Sequence, residues 1–250
     1  MEGDADLSRV AALVGDPTRT RILLALGDGR ALPAGVLANE AGVAPSTISQ
    51  HLSNLVAGGL LRVEPYGRNR YFRLAGPAVA YALEALAQLA PAVPVRSLRD
   101  GTRAEALRRA RSCYDHLAGR LGVALMAAFL KQGLIEGGDG LFHPEAALCD
   151  RLAVAGRDSG YRLTAKGASV FTGFGIDLAG PHARPVVRYC VDWTEQQHHL
   201  SGWLGAALLE RLLAMDWLRR AQRGRVVHLT DDGRHGLQRA FGVELQVMSQ

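Results

Sequence analysis

The stretch APSTISQHLSNLVAGGLLRVEPYGRNRYFRL, residues 44–74, decides the fold of the N-terminal part of the chain. Pro45 suits the first turn of a helix, where its missing N–H has no helical partner to lose. Ile48, Leu52, Leu55 and Val56 recur at helical spacing and mark a face to be buried. Ser46, Thr47, Gln50 and Asn54 fall on the opposite face, with Ser49 and His51 on its flanks. Short hydrogen-bonding side chains without acids suit base edges and the phosphates beside them. Gly58 and Gly59 stop the helix. Residues 60–64 and 71–74 read as strands about a turn at 65–69 that holds Gly67 and the cations Arg68 and Arg70. A polar-faced helix followed by a basic hairpin is a winged helix-turn-helix.

Four segments carry a resemblance. PTRTRILLAL (17–26), LANEAG (37–42), STISQHLSNLVAGGLL (46–61) and GRNRYFRL (67–74) stand in this order. Together they resemble the ArsR family of bacterial transcriptional repressors, over residues 7–90, about a third of the chain. The resemblance implies a homodimer, with the first and last helices of the domain as its interface. Two recognition helices would then lie about one DNA turn apart and meet a palindromic operator. The apolar stripe Val79, Leu83, Leu86 and Ala90 would serve that interface, or else pack on the chain's own C-terminal half. Many ArsR members sense metals through a Cys-x-Cys before the recognition helix or through acid and histidine pairs on the last helix. The corresponding segments here, ALPAGVLANEAG and YALEALAQL, hold neither Cys nor His, so a signal must enter elsewhere.

Around this stretch the domain reads in order. Residues 7–14 are amphipathic, Asp16-Pro17 breaks them, and residues 17–26 form the next helix. Ile22, Leu23 and Leu26 turn inward and Arg19 and Arg21 outward. Val36, Leu37 and Ala41 belong to the first helix of the motif, and Gly42-Val43 is its turn. Residues 1–95 hold eight Arg and eight acids, so the domain is neutral, but Arg62, Arg68, Arg70 and Arg73 gather after the recognition helix as a local basic edge.

The whole chain, 250 residues with 48% apolar content and net charge +5, is long enough for two domains. Its N-terminus lacks the apolar core of a secretory signal, and no apolar run approaches the ~18–20 residues that span a bilayer. Three scattered cysteines make no disulfide framework, so a cytoplasmic protein with reduced thiols is expected. The Pro-rich segment at 90–95 separates a domain at 1–95 from one at 96–250. Residues 96–111 read as a basic amphipathic helix whose Arg99, Arg103, Arg108, Arg109 and Arg111 form a solvated face or else touch phosphates, the solvated face being preferred.

The C-terminal part repeats itself, over about 112–178 and 189–245. LAGRLGVALMAAFLKQGLI (117–135) aligns with LSGWLGAALLERLLAMDWL (200–218), each preceded by His. YRLTAKG (161–167) matches VHLTDDG (227–233), FGIDL (174–178) matches FGVEL (241–245), and CYD (113–115) pairs with CVD (190–192). Each copy reads as helix, strand, turn, strand, helix, the order of the winged domain itself. The overall expectation is a mainly α, α+β chain. The polar reading face is lost in both copies, where the long helices are apolar nearly all round and so belong in a core.

Candidates for a signal-sensing site open the two copies: Cys113, Tyr114, Asp115 and His116, then Cys190, Asp192, Trp193, His198 and His199. Paired copies would bring them together. Two thiols with imidazoles can bind Zn(II), Cu(I) or As(III), or form a redox pair; an aromatic-rimmed pocket for an organic effector or a plain core is equally open. Cys149, in the extra segment 142–159, has no counterpart. No GxGxxG after a strand, P-loop or HExxH is present, and no βα alternation supports a fused transferase. The chain is thus expected to be no enzyme but a DNA-binding regulator. Its effector would enter the C-terminal half, unless that half only dimerises or recruits a partner.

Overall fold

A computed structural model describes residues 5–67, 69–91, 98–143, 160–179, 182, 184–222 and 224–243. Among them lie ten helices and eleven short strands, arranged as one three-stranded and four two-stranded sheets, so the chain is α+β. Its described residues fall into two compact units, Met1–Leu86 with Gln222–Arg225 and Ala87–Ala221 with Val226–Gln250. Among them, no helix is long and apolar enough to cross a membrane.

The first unit starts with α1 (Leu7–Val14) and α2 (Pro17–Ala25). Each begins where an aspartate carboxylate accepts a backbone N–H of the first turn, Asp6 from Arg9 at 3.1 Å and Asp16 from Arg19 at 2.8 Å. β1 (Leu32–Pro33) leads to α3 (Ala34–Ala41). Gly42, at φ 69°, takes the left-handed turn that a side chain would resist, and redirects the chain into α4 (Pro45–Ala57). β2 (Leu61–Tyr66) and β3 (Asn69–Leu74) form the wing, in register from Leu61 opposite Leu74 to Tyr66 opposite Asn69, and β1 adds to the other edge of β3. α5 (Pro77–Leu89) follows. The core is Ile22, Leu23, Leu37, Ile48, Leu52 and Leu55, all at most 2% exposed.

One detail departs from expectation. Arg19 does not point outward; its guanidinium donates to the carbonyls of Ala12 and Leu13 and closes the end of α1. On α5 the buried positions are Ala80, Leu83 and Glu84, whereas Leu86 and Leu89 are 47% and 83% exposed. Glu84 pairs there with Arg225, also of this unit.

The second unit opens with α6 (Leu98–Arg109). Positions 96–97 of the expected helix lie outside the described residues, and the helix ends before Arg111. That residue lies on β4 (Arg111–Cys113), which pairs with β5 (His116–Ala118) in a tight hairpin. α7 (Arg120–Lys131), β6 (Ile135–Glu136), β7 (Arg162–Leu163) and α8 (Ala165–Gly173) come next. The same order then recurs in β8 (Arg188–Val191), β9 (His198–Ser201), α9 (Gly202–Ala214), β10 (Leu218–Arg220), β11 (Val227–Leu229) and α10 (Asp231–Phe241). Each series is hairpin, helix, hairpin, helix. The leading hairpin of each is missing from the sequence reading, which ran residues 117–119 and 200–201 into the helices. Gly119 (φ 78°) and Gly202 (φ 79°) make the break, turning the chain from strand to helix.

Local contacts match between the series. The hydroxyl of Thr164 accepts the N–H of Gly167 at 2.9 Å, and that of Thr230 accepts the N–H of Gly233 at 3.0 Å. A methyl group on either glycine would lie 2.1 Å from a carbonyl oxygen, of Leu134 or Trp217 respectively, so both helices start in near contact with the preceding strand. The core between the series is aromatic: the Phe129 ring has its centroid 5.2 Å from those of both Phe171 and Phe241.

One ion pair joins the two leading hairpins. Arg111 and Asp192 have fully buried side chains, with Nη2 donating to Oδ2 at 3.0 Å. The same Oδ2 accepts the N–H of Gly119 at 2.7 Å. Oδ1 accepts the backbone N–H and hydroxyl of Thr194 in the turn between β8 and β9. The Arg111 guanidinium also lies 4.7 Å from the Trp193 ring centroid. The arginine assigned to a solvated helix face is therefore wholly internal. Burial alone would raise the Asp192 pKa, but the charge of Arg111 outweighs it and holds the carboxyl well below the usual carboxylate range. A depressed folded pKa means that the pair's contribution is present above the ordinary carboxylate range and is lost as pH falls through the folded value. Arg111→Met leaves Asp192 buried without its cation and is expected to lower unfolding free energy by about 3–5 kcal/mol in urea. The double variant Arg111→Met with Asp192→Leu should recover part of that loss. A single variant as stable as wild type would show that the pair holds nothing together.

Candidate nucleic-acid interface and candidate metal centre

α4 presents Ser46, Thr47, Ser49 and Gln50 to solvent while Ile48, Leu52 and Leu55 enter the core. Gln50 Nε2 donates to Asn54 Oδ1 at 2.9 Å, which holds two amides side by side on the exposed surface. His51 is different: its side chain is 20% exposed and its Nδ1 lies 3.6 Å from Asp16 Oδ1, so the ring leans on the start of α2. On the wing, Arg70 is exposed beside Phe72, at 5.7 Å from the ring centroid. Arg68 lies outside the described residues. The basic edge is narrower than charge counting implies, because Glu64 takes Arg73 at 3.0 Å and Arg62 at 3.3 Å. Sequence reading also passed over Tyr66, which is 78% exposed on the wing.

In the second unit the two leading hairpins each carry a cysteine directly opposite a histidine. Cys113 faces His116 across β4 and β5, and Cys190 faces His199 across β8 and β9. The four ligand atoms lie within 4.8 Å of one another. Cys113, His116 and His199 are at most 1% exposed, Cys190 is half-buried, and neither cysteine is in a disulfide. The imidazoles stack at 5.2 Å between centroids. His116 Nε2 and both nitrogens of His199 are buried without a hydrogen-bond partner.

The backbone makes this convergence possible. Tyr114 adopts φ 58° in the two-residue turn that sets Cys113 opposite His116. A side chain at Gly122 on α7 would press on the carbonyl of Leu117 at 2.5 Å and on His199 Cβ at 3.5 Å. One at Gly205 on α9 would press on Leu200 at 2.7 Å and on His116 Cβ at 3.2 Å. Each helix thus packs closely on a histidine of the other series.

Carboxylates flank both histidines. Asp115 Oδ1 lies 3.2 Å from His116 Nδ1 and its Oδ2 lies 2.7 Å from Arg184; Asp192 Oδ2 lies 3.8 Å from His199 Nδ1. Burial disfavours a charged His116, but the neighbouring Cys113 and Asp115 outweigh it and push its pKa up to about 9. Burial and the charge of His116 drive His199 the other way, well below the ordinary imidazole value. The two stacked imidazoles are thus driven in opposite directions.

Two further residues singled out from the sequence sit elsewhere. His198 points across its strand from His199, with Nδ1 2.8 Å from the Tyr161 hydroxyl and the Tyr189 ring 4.1 Å away. Trp193 stacks on Arg111. Cys149 lies outside the described residues. Arg111 and Arg184 support the acids behind the histidines, a role that only the tertiary fold gives them.

Comparison with known proteins bears on the whole chain. A helix-turn-helix domain family matches residues 14–64. The chain is 35% identical over 242 residues to YdfF of Bacillus subtilis (strain 168), an HTH-type transcriptional regulator, covering 96% of this chain and 99% of that protein. It is 41% identical over 90 residues to the HTH-type transcriptional regulator CmtR of Mycobacterium tuberculosis, covering 36% of this chain and 75% of CmtR. Among solved structures, the homodimeric winged helix-turn-helix domain of Mb0332 from Mycobacterium bovis is 30% identical, covers 36% of this chain and 88% of that one, and has a TM-score of 0.30. With a regulator matched end to end, and a winged helix-turn-helix built by the segments that resemble the ArsR family, the chain belongs to the ArsR family of helix-turn-helix transcriptional regulators and is not an enzyme.

Proposed function

We propose that this regulator is a sequence-specific repressor that binds a palindromic operator as a homodimer and lets go when an effector enters its C-terminal half. The observation that carries the DNA-reading part is α4. Its exposed surface offers Ser46, Thr47, Ser49 and Gln50, with no acid anywhere on the helix, beside a wing on which Arg70 is exposed. Side-chain amides pair with the two-atom edge of adenine, and hydroxyls with several base and phosphate acceptors. Asn54 orients Gln50, and His51 steadies the helix against Asp16 with one edge left on the flank. Arg68 and Arg70 would hold phosphates or enter the minor groove.

Support for a dimer comes from apolar side chains that the first unit leaves uncovered. Leu7 is 76% and Val10 41% exposed on α1, and Leu86 is 47% exposed on α5, the two helices that the ArsR resemblance assigns to the interface. A cytoplasmic location follows from a DNA partner.

The C-terminal half is read as two copies of one winged-helix-like unit, about 112–178 and 189–245, that no longer touch DNA. What supports this is the recurring order of hairpin, helix, hairpin, helix, together with the matched threonine caps and glycine contacts. The sensing site then lies where the two leading hairpins meet. An effector that releases DNA must itself bind more weakly when operator is present, by the same factor.

Three outcomes test the reading. Gln50→Ala should lose about 1–3 kcal/mol of discrimination between operator and random DNA in competition binding, the worth of one bidentate base contact. Equal loss on both DNAs would contradict a base-reading role. Arg70→Ala should weaken binding to every sequence and reduce the slope of log K against log salt by about 1. Leu86→Glu should shift sedimentation from dimer to monomer while the far-ultraviolet circular dichroism stays unchanged; an undisturbed dimer would move the interface off α5.

A further inference from the structure

We infer that Cys113, His116, Cys190 and His199 form a closed, four-coordinate site for a divalent transition-metal cation of the zinc type, and that the ion staples the two leading hairpins of the C-terminal half to each other. This rests on reading that half as the sensing part of a DNA-binding regulator and assigns the chemistry of its ligand.

Geometry is the first argument. Ligand atoms at about 2.0–2.3 Å from one ion in a tetrahedron stand about 3.3–3.8 Å apart. The four atoms here already lie within 4.8 Å of one another, so closing on an ion needs side-chain adjustments of about 1 Å or less. Two of them come from each hairpin, and the register of each hairpin fixes its Cys opposite its His. The ligands are therefore held by backbone pairing and by α7 and α9 packed on the histidines at Gly122 and Gly205.

Burial is the second. Two stacked imidazoles with three buried ring nitrogens outside hydrogen-bond geometry are costly in an interior that holds no ligand for them. Cysteine alone packs well as a small hydrophobe; histidine does not. A metal satisfies one nitrogen of each imidazole, and two thiolates cancel the charge of a divalent ion, so the completed site is neutral in a buried place.

Donor chemistry is the third. Two sulfurs and two imidazoles make a borderline set that suits Zn(II) in tetrahedral geometry; Cu(I) and As(III) favour sets richer in sulfur. Four protein ligands leave no position for water or substrate, which marks a structural or regulatory ion and not a catalytic one. Cys190, half-buried, provides the route in. Asp115 beside His116 and Asp192 beside His199 are the carboxylates that orient metal-binding imidazoles, and Asp115 is in turn held by Arg184. Asp192 is also half of the buried ion pair, so ligand geometry and the hairpin clamp share an atom.

The test uses the full chain, reduced with a phosphine, stripped with a chelator and titrated with Co(II) and then Zn(II). The expected result is one Co(II) per chain, with the thiolate charge-transfer and intense visible bands of a tetrahedral sulfur–nitrogen site, displaced by one Zn(II). Cys113→Ser, Cys190→Ser and His199→Gln should each abolish that spectrum. His198→Gln, on the same strand, should keep it. Asp115→Asn should keep one ion per chain with affinity lowered about 10–100-fold. Wild-type chain that takes up no Co(II) while still folded and bound to operator would overturn the site and leave the DNA-binding reading standing. Rapid formation of a Cys113–Cys190 disulfide in place of metal uptake would overturn it as well. A chain that binds metal with this spectrum but never binds operator would leave the site standing and sink the repressor reading.

Discussion

The second unit depends on one fully buried ion pair. Arg111 and Asp192 come from different hairpins, and no water reaches either. Such a pair is tolerable because the carboxylate is well supplied with donors: Asp192 also takes the Gly119 and Thr194 N–H groups, and Arg111 lies on Trp193. This sets the two hairpins at one spacing. That spacing in turn places Cys113 and His116 against Cys190 and His199. An apolar contact would slide more easily; a charge with fixed hydrogen-bond directions does not.

The first unit solves a different problem. A reading helix must show polar atoms to solvent and still be rigid. Here Ile48, Leu52 and Leu55 bury one side of α4, the Gly42 turn sets its angle to α3, and His51 and Asn54 take up supporting contacts within the protein. The same helix–hairpin pattern recurs in the second unit with apolar residues where α4 has polar ones. A helix that keeps Leu121, Leu125 and Phe129, and surrounds them with Val123 and Met126, is committed to the interior.

Much of this was legible in the residues. Helical spacing, Pro45, the Gly58-Gly59 stop and the Gly67 turn mark α4 and the wing because their causes are local. The aligned Thr-x-x-Gly segments mark helix starts for the same reason. Three-residue strands such as β4 and β5 carry too little period to be told from the start of a helix, so residues 117–119 and 200–201 look like first turns of the helices that follow them. Charge type also misled. Arginine is usually solvated, but a distant aspartate makes Arg111 internal, and carbonyls six and seven residues away make Arg19 a cap. The cysteines and histidines stood out by type and by their place in the repeat, but type does not separate His198 from His199. Strand alternation does, and it sends one to Tyr161 and the other to the thiols.

By itself the sequence determined the DNA-binding architecture, since apolar period, turn glycines and a polar helix face act over a few residues and need no partner to be effective. It also determined that the C-terminal half is built from matched segments. Only the tertiary structure decided that residues 77 positions apart, Cys113 and Cys190, share one site. That outcome depends on how two hairpins of separate series are held, and they are held by a buried charge pair whose partners are 81 residues apart in the chain. Long-range electrostatic and packing constraints of this kind leave no periodic trace, because each partner is an ordinary residue until the fold brings the other beside it.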